Sequence, residues 1–137
     1  MGVSKRIKKR GRFTGIPKIV HDSPEWATLT PTEKALLIDI CSQYHGYNNG
    51  DLNAALTDLK KKGWKNQGTI SKTIKQLMAK RFLIQTRRPL QRRCALYAIT
   101  WERINECKGK HILGDSLEFL NCWKHISSVK SHQSKAS

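Results

Sequence analysis

From Asn66 to Trp101 the apolar residues keep one period and then take another. Ile70, Ile74, Leu77 and Met78 recur at i, i+4, i+7 and i+8, which lines one face of an α-helix. FLIQT at 82–86 and ALYAITW at 95–101 come next. In the second, Leu96 and Ala98 alternate against Tyr97, Ile99 and Trp101, the twofold period of a β-strand. Two strands joined by the eight residues RRPLQRRC form a β-hairpin whose connection is long and should protrude. The helix before it starts at an Asn66 cap and runs to about Arg81. Its polar side, at 100° per residue, holds Gly68, Lys72, Lys75, Gln76 and Ala79, with Thr69 and Ser71 at the margins of the first turn.

Two further helices precede this one. LTPTEKALLIDICSQY at 29–44 opens with Thr30 as N-cap, Pro31 at the first helical position and Glu33 completing a capping box. Leu36, Leu37, Ile40, Cys41 and Tyr44 then share one side, a core-facing stripe, and Glu33 lies off it. HGYNNGD at 45–51 is a turn, with Leu52 open to a short extended piece. In LNAALTDLKKKG, Leu52, Ala55, Leu56 and Leu59 make the apolar face of a second, short helix that Gly63 ends. After Trp101, ERINEC suggests a helical turn, and GDSLEFLNCWKHI at 114–126 an amphipathic helix capped by Asp115 or Ser116. SSVKSHQSKAS has the composition of a disordered end. The length of 137 residues suits one domain with tails.

The chain carries 26 basic and 10 acidic residues, a formal charge of +16, so a polyanion is the expected partner. The charge is concentrated. Residues 60–93 hold twelve Lys and Arg and no acid, against one lysine and four acids in 31–59. A second block, KRIKKRGR at 5–12, reads as a disordered arm whose Lys5, Arg6, Lys8, Lys9, Arg10 and Arg12 seek phosphates or a minor groove; a solubilising tail is its plainer explanation. FTGIPKIV is too short and Pro-broken for a signal-peptide core, and no run reaches membrane-spanning length. Reduced cysteines and a cytoplasmic, nucleoid-associated location are expected.

Cys107 and His111, with Cys122 and His125, offer four ligands at spacings a tetrahedral zinc tolerates. The pairing is not CxxC, however, and a tail helix explains Leu117, Leu120 and Trp123 equally well, so no metal or other cofactor is expected. The carboxylates are scattered or explained by caps and turns. No nucleophile elbow, phosphate loop or HExxH stretch occurs, which argues against an enzyme and leaves no small-molecule substrate evident. Trp26, Trp64, Trp101 and Trp123 could stack on single-stranded bases, but core packing accounts for them better.

Helix, short helix, turn, helix, then hairpin is the order of a winged helix-turn-helix, a mainly α fold with a small β-hairpin. Over roughly residues 20–107 the stretches SPEWATLTPTEKALLIDI, YHGYNNGDLNAAL, KKKGWKNQGTISKTIKQLMAKRFLIQT and LYAITW resemble small winged helix-turn-helix proteins of bacterial phages and mobile elements. They are more loosely similar to plasmid replication initiators. The resemblance implies a domain at 20–107 between an arm at 1–19 and a tail at 108–137. It also implies a DNA-binding fold with the third helix as reader; with the charge distribution, the expected function is sequence-preferring binding of double-stranded DNA as a transcriptional regulator or replication-associated factor. The reading helix would use Gln67, Thr69, Ser71, Lys72, Lys75 and Gln76, with Asn66 at its start. Arg87, Arg88, Arg92 and Arg93 would form the wing. A homodimer through the tail helix is one option, and an intramolecular lid is another. The alternative function is a mobile-element protein whose basic surface binds RNA or an acidic host protein.

Overall fold

The structure, a computed structural model, describes residues 13–126. The basic arm Lys5–Arg12 lies outside them, as does SSVKSHQSKAS at 127–137. Among the described residues there are five α-helices and one two-stranded antiparallel hairpin, a small mixed α/β arrangement. No helix in this region is long and apolar enough to cross a membrane.

Two single-turn helices, α1 (Lys18–His21) and α2 (Pro24–Ala27), lead into α3 (Pro31–Cys41). The capping box is complete: Glu33 N donates to Thr30 Oγ1 at 3.2 Å, and Thr30 N donates to Glu33 Oε1 at 3.0 Å. Leu36, Leu37, Ile40 and Cys41 are buried, and Tyr44 packs at the edge of the core. Glu33 departs from the sequence reading. It is only 1% exposed, because the carboxylate that caps α3 also pairs with Lys80 Nζ at 2.5 Å. Lys80 donates in addition to Thr28 O at 2.7 Å, which ties the far end of another helix to the start of α3.

The second helix is shorter than expected. Leu52 does not belong to it but pairs with Tyr97 through two backbone hydrogen bonds of 3.2 and 2.7 Å. The Gln43 carboxamide holds Asn53 at both its N–H and its C=O. With Leu52 paired to Tyr97 and Asn53 held by Gln43, helix α4 begins only at Leu56, runs to Leu59 and passes into a 3₁₀ turn, Lys60–Lys62. Gly63 ends it at φ 97°, a conformation that costs a residue with a Cβ far more.

Helix α5 (Gln67–Ala79) starts where the sequence places it, with Asn66 Oδ1 accepting from Thr69 N at 3.2 Å. Ile70, Ile74 and Leu77 are buried, and α5 packs against α3. Thr73 is buried among them, its hydroxyl satisfied by Thr69 O at 2.7 Å. Trp64 Nε1 donates to Asp39 Oδ2 at 2.7 Å, so the turn before α5 is fastened to α3 as well.

Strands β1 (Leu83–Arg87) and β2 (Leu96–Ile99) pair in the register Leu83 with Ile99, Ile84 with Ala98 and Gln85 with Tyr97. The register shifts before Arg87, which pairs with Leu96. All four residues of β2 are buried, so both of the alternating faces are covered. Tyr97 and Ile99 join the main core; Leu96 and Ala98 are buried apart from it.

The chain then folds back instead of leaving the domain. Asn105 N donates to Asn49 O at 2.8 Å, Ile104 bridges Ser116, and Asn121 N donates to Thr100 O at 2.6 Å. The continuous helix expected over 114–126 is absent. Gly114 and Asn121 take left-handed conformations, Ser116 is engaged in its bridge, and Asp115 Oδ1 accepts from Glu106 N instead of capping a helix. A 3₁₀ turn, Cys122–Lys124, replaces it. The cause is Trp123, which is buried on Phe82 with ring centroids 6.2 Å apart; Phe82 in turn meets the edge of Trp26 at 6.0 Å. Trp26, Trp101 and Trp123 are core residues, and Trp64 packs against the core.

Candidate nucleic-acid interface

The polar side of α5 stays open. Asn66, Gln67, Thr69, Ser71, Lys72 and Lys75 are exposed, and Gln76 is half-buried. Asn66 is committed to its cap. Gly68 guards that cap, since a Cβ there would come within 2.9 Å of Asn66 Oδ1. Gln67 Nε2 donates to Ser71 Oγ at 3.2 Å, so these two form one hydrogen-bonding unit on the first turns. No acidic residue sits in that first turn, leaving the positive end of the helix uncompensated.

The hairpin connection lies alongside. Residues 88–94 are all exposed, among them Arg88, Arg92 and Arg93. Among the described residues none of Lys72, Lys75, Arg88, Arg92 or Arg93 has an ion-pair partner. Five cations thus face solvent without neutralisation. Gln67 and Ser71 on α5, Ala55 at the start of α4, and Pro89, Cys94 and Tyr97 of the hairpin line a shared groove of about 400 Å³.

Arg87 differs from the other three arginines of the connection. It is half-buried, with Nη2 donating to Cys94 O at 2.8 Å and Nη1 to Lys110 O at 3.4 Å. The bulge before it turns the side chain back on the protein, where it braces the hairpin base. Sequence pattern could not separate Arg87 from Arg88, because the carbonyl of Lys110 comes 23 residues later.

The cysteine and histidine pairs of the tail are not brought together. Cys107 Sγ donates to Asn49 O at 3.7 Å, whereas Cys122 Sγ donates to Arg81 O at 3.5 Å. His111 is buried, with Nε2 bonded to Asn105 O at 2.7 Å and Nδ1 accepting from Leu113 N at 3.1 Å; His125 is half-buried. Burial pushes both thiols upward, away from the thiolate a metal requires. Among the described residues no three His, Cys, Asp or Glu side chains are grouped as a metal site. A wider recess of about 580 Å³ is lined by His45, Tyr47, Asp51, Glu106, Lys110 and Asp115 among others, and there Lys110 already pairs with Asp51 at 2.8 Å.

The chain matches no protein-family model, no curated protein and no solved structure.

Proposed function

We propose that this is a sequence-preferring double-stranded DNA-binding protein built as a winged helix-turn-helix. In this reading α5 enters the major groove and the hairpin serves as the wing. The observation that carries it is a groove lined by Gln67 and Ser71 of α5 and by Pro89 and Cys94 of the hairpin, with Lys72 and Lys75 exposed and unpaired on the same helix and Arg88, Arg92 and Arg93 exposed and unpaired on the same connection. Gln67, Ser71 and Gln76 offer amide and hydroxyl groups to base edges. Lys72 and Lys75, exposed on the same helix, supply charge, and Arg88, Arg92 and Arg93 reach adjacent phosphates. Trp64 on Asp39 and Lys80 on Glu33 hold α5 at both ends, which favours a helix used as a rigid reader. The role is binding without chemistry, as a transcriptional regulator or replication-associated factor of a phage or mobile element, on the bacterial nucleoid.

Mobility-shift titrations at several salt concentrations test this. Lys72→Ala with Lys75→Ala should weaken binding and blur its sequence preference. Arg92→Ala with Arg93→Ala should weaken binding to every sequence and flatten the salt dependence by about one unit of slope for each phosphate no longer neutralised. Unchanged affinity in the α5 double variant would remove that helix from the interface. Preferential binding of structured RNA over duplex in direct competition would move the function to RNA.

A further inference from the structure

We propose that the hairpin tip is an apolar wedge for the minor groove, with Leu90 entering at a base step and bending the duplex. This deepens the DNA-binding reading and rests on it. Leu90 is 48% exposed on a protrusion that also carries Arg88, Gln91, Arg92 and Arg93, and it contributes nothing to the core. Its backbone is nonetheless fixed: Leu90 N donates to Arg93 O at 3.0 Å and Arg93 N to Leu90 O at 2.9 Å. These bonds close a two-residue turn, Gln91 and Arg92, with Arg92 at φ 62°. Residues paired this way raise their side chains on the same face, so Leu90 and Arg93 leave the turn on the same side.

The tip is also supported from behind. Pro89 limits the backbone immediately before Leu90, and Arg87 joins its own strand end to the returning side of the hairpin through Cys94 O and to the later segment through Lys110 O. A loose loop would lose conformational freedom on meeting DNA; this one carries its geometry with it. The dimensions agree with a groove entry that must open the duplex. Paired strands are about 4.8 Å apart before side chains are counted, and the minor groove is about 6 Å wide. A Leu or Pro driven into such a groove partly unstacks a base step and kinks the duplex toward the major groove, the side α5 occupies in this reading. Arg88, Arg92 and Arg93 surround the tip, and along the chain no acid occurs from Lys60 until Glu102, so charge complementarity points to nucleic acid rather than to an apolar protein face.

The test is energy transfer between dyes at the two ends of a short duplex carrying the site selected from random DNA. The protein as it exists is compared with Leu90→Ala, Leu90→Phe and the Arg92→Ala, Arg93→Ala pair. The unaltered protein should bend the duplex by roughly 20–90°. Leu90→Ala should lose at least half of that bend while affinity changes by less than about tenfold, because the cost of unstacking disappears together with the interactions that the bend permits. Leu90→Phe should keep the bend, and the arginine pair should lose affinity at every sequence. A bend that Leu90→Ala leaves intact, or a straight duplex under the unaltered protein, overturns the wedge while leaving DNA binding in place. Failure to bind any duplex overturns both. Leu90 lies outside the core, so thermal melting should be the same for its variants, which separates lost bending from lost folding.

Discussion

Asn49 shows how much one side chain in a turn can hold. It is fully buried; its carboxamide donates to Ile99 O at 2.9 Å, Arg103 O at 3.0 Å and Glu102 O at 3.1 Å, and accepts from Ile99 N at 2.8 Å. Two N–H groups shared among three carbonyls, with the oxygen also used, satisfy the whole amide. Asn49→Ala orphans those groups in a dry setting at about 1–3 kcal/mol each, so urea unfolding should show a loss of about 3 kcal/mol or more at unchanged slope. A loss under about 1 kcal/mol would mean that water replaces the amide. The turn around Asn49 is legible in the sequence, but its burial is not, because its partners lie 50 to 54 residues away. The lysines of α5 are easier, since angular position on a helix decides their exposure and needs no knowledge of the rest of the chain.

Helix α5 owes its position to pins at its two ends. The Glu33–Lys80 pair is the stronger one, because its carboxylate is buried, caps α3 and has Lys80 as its ion-pair partner among the described residues. Lys80→Met should cost about 3 kcal/mol by leaving a charge without its partner, whereas adding Glu33→Gln to it should restore much of that loss, since glutamine keeps the capping geometry and carries no charge. Denaturant titration of the two single variants and the double variant measures the coupling; additive losses would show that the pair is not coupled. In the proposed reading, the Lys80→Met protein that remains folded should also bind its site less tightly, as α5 loses its fixed angle to α3. The end of α4 and the start of α5 are legible because glycine and asparagine act within a few residues. The start of α4 is not, because the pairing of Leu52 with Tyr97 takes the first residues of the expected helix into an extended segment.

Across the whole molecule, the tail is part of the fold that carries the candidate interface. Trp123 is 1% exposed and stacks on Phe82, which lies between α5 and β1. Trp123→Ala should therefore cost about 3–5 kcal/mol, read as a lower urea midpoint together with altered near-ultraviolet circular dichroism. A loss below about 1 kcal/mol would mean that the tail rests on the surface instead of filling the core. Amphipathic spacing makes 114–126 look helical, and local pattern has no means of showing that Trp26 and Phe82 form an aromatic core open to Trp123. What can be read along the chain is whatever closes within about one turn: the capping box of α3, the Asn66 cap, the Gly63 stop, the apolar face of α5 and the alternation in β2. Those interactions join residues at most four apart, so the sequence of the segment contains both partners. The buried Glu33–Lys80 pair, the Asn49 hub, the bond of Arg87 to Lys110, the stacking of Trp123 on Phe82 and the contact of Cys107 with Asn49 join residues 23 to 58 apart. Their partners are chosen by packing, which brings distant segments together only once the core has formed.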